Sequence, residues 1–292
     1  MPSELHTYMA SSIHKLHALN AFSEKNNADY SMDKNTLQKL AKKQQAYLEK
    51  KIAIKLRDNL KRNNLTICFE PVLSSLTRRP TGANVTLRIP RQGIGLIPTQ
   101  HLFSSVENSK ILIDIGCWLI KEILYMRRDF PPHFIFTLPV NFYQLQNHKF
   151  ISYVVSALEH FKTSKGCLQF KISGNSIRQH FDSMTSSLNI LSDAGVTFSA
   201  SQFGKVNIPL QSLFQKGFST LILDYCLVLD VEQNIEKQNI LRVLCNKAHL
   251  HNFKIIAPAI DSIYTEELCN KIGVDEITKP FVSFDSLKKI LD

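Results

Sequence analysis

The chain has 292 residues, 44% of them hydrophobic and 21% charged, a balance that excludes a wholly disordered, collagenous or low-complexity protein and allows a sizeable buried core. Its net charge of +10 favours contact with acidic partners, but no helix-turn-helix, zinc-finger or aromatic-interleaved basic pattern accompanies it, so contact with nucleic acid rests on composition alone. The longest apolar runs, Ile111 to Ile120 and Leu221 to Leu229, are broken by Asp114 and Asp224 and are too short to span a bilayer, so no membrane partner is expected.

The first seventy residues lack the glycine and proline punctuation of a loop-rich fold, and helix is the expected state. Leu5, Tyr8, Met9, Ile13 and Leu16 form one apolar stripe, and Leu37, Leu40, Ala41, Leu48, Ile52, Leu56 and Leu60 line a long lysine-rich helix. Residues 1–64 hold twelve Lys/Arg against six Asp/Glu, so +6 of the +10 lies in this basic helical extension. Such a stripe ordinarily serves packing on the following domain, and a partner-binding or oligomerising helix is the alternative. His6, His14, Lys15 and His17 interrupt any secretory apolar segment, which predicts a cytoplasmic protein.

From Leu65 the pattern changes to short β-prone runs alternating with helical stretches, the mark of an α/β fold with a largely parallel sheet. Candidate strands are 66–72, 84–89, 134–140, 168–173, 197–201, 220–223, 254–257 and a short one near Glu276. Helices are expected over 112–126, 151–161, 177–193, 232–249 and 265–272. Eight strands with intervening helices predict a (β/α)8 barrel, in which chemistry sits at the strand ends. Cys68, Cys117, Cys167, Cys226, Cys245 and Cys269 are too far apart for a zinc or redox motif and read as reduced core residues. His249 with His251 lacks a third ligand at a suitable spacing, and His14 and His17 share a helical face beside a core-like stripe.

Over about residues 65–292 the strand ends resemble the EAL-domain family, the bacterial cyclic-di-GMP phosphodiesterases and their inactive relatives. Phe69-Glu70-Pro71-Val72 is similar to the first-strand F-Q-P-I, Gly95-Leu96-Ile97-Pro98 to a G-x-I-x-P turn, and Asp114-Ile115-Gly116-Cys117-Trp118-Leu119 to L-G-x-W-V-L. Val140-Asn141, Gly195-Val196 with Phe203-Gly204, Leu223-Asp224 and Lys279-Pro280 follow in the family's order. The resemblance implies a modified TIM (β/α)8 barrel carrying an N-terminal helical extension, divided as residues 1–64 and 65–292.

It also implies an altered site. Two divalent cations in that family require clustered carboxylates. Here the signature E-A-L reads Asn84-Val85-Thr86, although the arginine of that strand survives as Arg88. L-E-I-T-E reads Phe170-Lys171-Ile172-Ser173-Gly174, placing an ammonium where a metal ligand would be, and the D-D pair becomes Ser201-Gln202. The lysine of K-I-D is Ile222, A-E-G-V-E reads Ala257-Pro258-Ala259-Ile260-Asp261, and the glutamine-glycine before the closing strand has no counterpart in Asp275-Glu276-Ile277-Thr278. Asn141, Asp224 and Asp261 are what remains of the family's metal and acid/base set. No metal, no cofactor and no phosphodiesterase activity are therefore expected.

The vestigial positions are thus Glu70, Asn84, Arg88, Asn141, Lys171, Ser201, Gln202, Asp224 and Asp261. Arg88 can pair with a phosphate, but Glu70 replaces the glutamine that faces guanine, so cyclic-di-GMP binding is expected to be weak or absent. An ion pair of Arg88 with Glu70 or Asp224 is the structural alternative. The expected function is an inactive EAL-like regulator that binds a protein, a transcriptional regulator of the flagellar type or another signalling protein. A cyclic-di-GMP receptor is the alternative, and nucleic-acid contact through the basic N-terminal helix is a third reading.

Overall fold

A computed structural model describes residues 34–91, 93, 95–99, 106, 110–208, 210–214 and 216–291. The first apolar stripe, with His14 and His17, lies outside these residues. Contacts divide the chain into two compact units, Met1–Leu48 and Glu49–Asp292. The division falls inside helix α1 (Lys34–Lys61), so the turns that carry the buried Ile52 and Leu56 belong to the second unit.

The second unit is built on nine strands: β1 Thr66–Ser74, β2 Pro80–Arg91, β3 Gly95–Pro98, β4 Ile135–Pro139, β5 Leu168–Ser173, β6 Thr197–Phe203, β7 Phe218–Leu223, β8 Lys254–Ala257 and β9 Glu276–Thr278. Neighbours run β1-β9-β8-β7-β6-β5-β4-β2, and pairing of β1 with β2 closes an eight-stranded barrel. The expected barrel is therefore present. Strands β2 and β4 to β9 are parallel, whereas β1 is antiparallel to both its neighbours. Gly95–Pro98, expected as a turn, instead folds back as β3 against the far end of β2.

Alternation along each strand separates an inner from an outer face. On the outer face, Phe69 of β1 and Phe136 of β4 meet edge to face at 6.0 Å, and Phe130 meets Phe136 at 5.0 Å. Helix α2 (Lys110–Met126) buries Ile111, Leu112, Ile115, Leu119, Ile120 and Ile123, which recur at three- and four-residue intervals along one face. The close β2–β4 approach explains Gly82, because a Cβ there would lie 2.4 Å from the Ile135 carbonyl oxygen.

The inner face is polar. Thr137 Oγ1 donates to Gln169 Oε1 at 3.1 Å, and Gln169 Nε2 donates to Thr220 Oγ1 at 3.2 Å, linking β4, β5 and β7. Buried polar groups require such partners.

Short loops cap the following helices. These are α3 (Phe142–Gln146), α4 (His148–Phe161), α5 (Gly174–Asp193), α6 (Leu210–Phe214), α7 (Tyr225–Val228), α8 (Ile235–His249), α9 (Ile263–Ile272) and α10 (Phe284–Lys289). The stretch expected as one helix over 232–249 is broken, because a 3-10 turn at Val231–Gln233 ends at Asn234, whose side chain accepts from the Lys237 N–H and starts α8 afresh. All six cysteines are free; four are buried, but Cys117 is half-buried and Cys226 exposed, so Cys226 is not the core residue expected. Burial pushes the Cys117 thiol up to about 11, and those of Cys245 and Cys269 up to about 12.

Candidate functional site at the barrel mouth

Glu70 of β1 and Asn84 of β2 are directly opposite in the register, and Asn84 Nδ2 donates to Glu70 Oε2 at 3.4 Å. Asn84 is 3% exposed, and its Oδ1 has no partner among the described residues. Lys171 enters the same interior from β5. Burial pushes its ammonium below the ordinary lysine range, and the Glu70 carboxylate opposes that shift. The register thus brings a carboxylate, an amide and an ammonium into one interior.

Arg88 stands two inward positions beyond Asn84 on β2. Its guanidinium carbon lies 3.5 Å from the centroid of the Phe281 ring, and Nη1 donates to the Leu96 carbonyl at 3.4 Å, while Nε is buried without a partner among the described residues. The expected ion pair with Glu70 or Asp224 is not formed. The reason is the return of the chain after β9: Phe69 and Val282 exchange backbone hydrogen bonds at 3.0 and 2.7 Å, which sets Phe281 over the arginine.

Asp224 ends β7 and caps α7 by accepting from the Cys226 N–H at 3.1 Å, with Lys205 Nζ at 3.8 Å. Burial raises its pKa, but the hydrogen bonds from Cys226 and the Lys205 charge outweigh burial and hold it below the ordinary carboxylate range. Asn141 caps α3 in a reciprocal box with Gln144, at 2.9 and 3.0 Å. Ser201 Oγ donates to the Ile172 carbonyl at 3.5 Å, and Gln202, at φ +64°, accepts from the Asn175 N–H at the start of α5. Asp261 is exposed and lines a separate cavity.

The nine residues expected at the site therefore divide. Glu70, Asn84 and Lys171 share the barrel interior, and Arg88 stands above them on β2. Asn141 and Asp224 cap the helices that follow β4 and β7, Ser201 and Gln202 brace the end of β6 against β5 and α5, and Asp261 lies apart in the separate cavity. A hard divalent cation requires several converging oxygen ligands, and an ammonium beside one carboxylate and one amide does not fit such an ion. Among the described residues no group of three or more His, Cys, Asp or Glu is arranged to hold a metal. His249 Nε2 instead lies 2.9 Å from Asp275 Oδ2 at the far end of α8. Sequence reasoning missed Phe281; the signal available was its place directly after Lys279-Pro280, in a segment already short of the glutamine-glycine element.

Comparison with known proteins agrees with this architecture. The EAL domain family matches residues 53–278, so the chain belongs to that family. Signaling protein YkoW of Bacillus subtilis is 20% identical over 78% of this chain and 29% of its own length. Cyclic di-GMP phosphodiesterase PdeR of Escherichia coli is 20% identical over 76% of this chain and 34% of its own. The chain thus spans about a third of these curated relatives. Among solved structures, the PaMucR phosphodiesterase in complex with c-di-GMP superposes with a TM-score of 0.74 at 18% identity, covering 81% of this chain and 99% of that one. The FimX EAL domain of Pseudomonas aeruginosa bound to c-di-GMP gives 0.69 at 19% identity, covering 78% and 93%. Among the described residues no helix is long and apolar enough to cross a membrane.

Proposed function

We propose that this EAL-domain protein is a catalytically inactive, cytoplasmic regulator that acts by binding another protein, a transcriptional regulator of the flagellar type or a signalling protein. The observation that carries the reading is the Lys171 ammonium in the barrel interior beside Glu70 and Asn84. Hydrolysis of a phosphodiester by metal-activated water needs the cation for both nucleophile and charge stabilisation. A lysine side chain offers the cation no oxygen ligand and repels it when protonated, and an amide oxygen lacks the charge that a carboxylate brings to the ion. Of the remaining candidate acids, Asp224 caps α7 and faces Lys205, and Asp261 lies in a separate cavity. Incubation of the purified chain with cyclic-di-GMP and Mg²⁺ or Mn²⁺, followed by product analysis, tests the inactive reading. No linear dinucleotide above a buffer blank is expected, and metal-dependent turnover would overturn it.

A second reading, a cyclic-di-GMP receptor without hydrolysis, draws support from one observation. Arg88 keeps a buried Nε with no partner among the described residues, a donor able to serve a phosphate oxygen. PaMucR and the FimX EAL domain hold c-di-GMP in their own structures. The adaptor reading takes precedence because Glu70 and Phe281 both work against an anionic ligand at Arg88, the first by charge and the second by covering one guanidinium face.

A further inference from the structure

We propose that the cleft between the loop after α7 and the start of α9 is a docking groove for a basic amphipathic segment of the partner protein. This inference rests on the protein-binding reading above and names the surface that carries it. The cleft has a volume of about 290 Å³ and is lined by Asp230, Glu232 and Asp261 together with Tyr225 and Leu229. Tyr225 is 51% exposed and Leu229 45%, and the adjoining Ile263 and Tyr264 of α9 are exposed at 63% and 62%. Three carboxylates thus lie among four large apolar side chains facing outward.

Charge complementarity selects the occupant. On a chain of net charge +10 this cleft concentrates acid, so its local field opposes that of the whole molecule and attracts cations. Phosphate-bearing ligands are repelled from it. A bare metal ion is not favoured either, since no three-ligand arrangement exists among the described residues. A cavity of this size takes one long side chain such as Lys or Arg, while the apolar rim takes flanking Leu or Phe, and that combination describes one face of a basic amphipathic helix.

The walls are held in place before any partner arrives. Lys237 Nζ donates to the Leu229 carbonyl at 2.6 Å, Gln238 Nε2 to the Val231 carbonyl at 3.0 Å, and Thr265 Oγ1 to Glu232. On the other wall the Ala259 N–H donates to Thr278 Oγ1 and the Ile260 N–H to the Thr278 carbonyl, both at 2.8 Å. Pre-ordered loops of this kind reduce the entropy lost on docking.

Fluorescence anisotropy of the full chain with a labelled helical peptide of Lys and Leu in heptad spacing tests the groove. Saturable binding is expected, weakened at least tenfold in the Asp230→Asn/Asp261→Asn variant and again in Leu229→Ser, and absent with the same peptide carrying Glu for Lys. Asn suits the left-handed backbone at position 230 (φ +57°), so the first variant leaves the loop conformation intact. Equal affinity in wild type and variants would overturn the groove. So would self-association of the chain, seen by sedimentation and lost in the same variants, since a second copy would then be its occupant. Capture from native cytosol separates the two readings: a partner retained equally by wild type and variants overturns the groove alone, whereas loss of both peptide and partner binding in the wild type overturns both.

Discussion

Phe281 stacks on the Arg88 guanidinium with 3.5 Å between the guanidinium carbon and the ring centroid, so Arg88 is held by an aromatic ring rather than by an acid. The ring is 43% exposed, which keeps the contact partly solvated and its contribution at about 0.5–1 kcal/mol. Phe281→Ala is therefore expected to lower stability by at least that amount, since it also loses the ring's buried apolar area, and Phe281→Leu by less, because leucine keeps much of that area. Urea titration with the slope unchanged reads the difference directly. No loss in the alanine variant would mean that the stacked geometry does not persist in solution.

The same pairing bears on nucleotide recognition. With one guanidinium face covered and Glu70 adding negative charge to the interior, calorimetry of the native chain with cyclic-di-GMP is expected to show weak binding or none. Phe281→Ala should not weaken it further, because the ring competes with a ligand rather than supporting one. Tight saturable binding that disappears in Arg88→Ala, with circular dichroism unchanged, would place the receptor reading above the adaptor reading.

The fold was legible because strand and helix periods differ and because the strand-end motifs kept their order; β5 and β8 were delimited to the residue. Two misreadings have local causes. Gly95-Leu96-Ile97-Pro98 reads as a turn because it is short and bounded by glycine and proline, yet hairpin pairing with Arg88–Arg91 makes it a strand. Asn234 breaks the stretch expected as one helix over 232–249 because its side chain caps the start of α8. At the site, the sequence identified Glu70, Asn84 and Lys171 as an odd set, and the barrel register brings them into one interior. What it could not give was Phe281 over Arg88, a contact made by residues 193 positions apart in the chain and set by the backbone bridge of Val282 to Phe69.

Lys171 gives a pH dependence whose sign follows from its environment. Burial lowers its native pKa while the unfolded chain keeps the ordinary lysine value, so folding is penalised either by a desolvated charge or by release of that proton. As pH rises through the lowered native value the folded state loses the proton first. The unfolded state then binds more protons, and stability grows until the ordinary lysine range is reached. Lys171→Met should remove that alkaline gain and raise stability at pH 7 by about 1 kcal/mol, in line with replacement of buried charges by apolar groups of similar size. Denaturant midpoints of both proteins at pH 7 and pH 9.5 test it: the midpoint gap should narrow with pH, and a constant gap would show that Lys171 stays protonated throughout.

The N-terminal extension separates into two parts with different expected roles. The family match begins at residue 53 and the second compact unit at Glu49, and Ile52 and Leu56 within that unit are 4% and 1% exposed. Each side chain, fully buried, stabilises the fold by about 1.5–3 kcal/mol. A chain starting at Glu49 is therefore expected to unfold cooperatively within a few degrees of the full protein, because both buried residues are retained. One starting at Arg62 loses them and should melt about 6–24 °C lower, given roughly 3–6 kcal/mol for the pair and 2–4 °C per kcal/mol for a domain of this size. Partner capture should then discriminate between structural and recognition roles. If the chain from Glu49 keeps its melting temperature and loses the partner, residues 1–48 carry recognition; if it keeps the partner, the contacts lie in the second unit. A melting temperature for the Glu49 chain as low as that of the Arg62 chain would show that the burial of Ile52 and Leu56 depends on residues before Glu49, and would sink the division of roles.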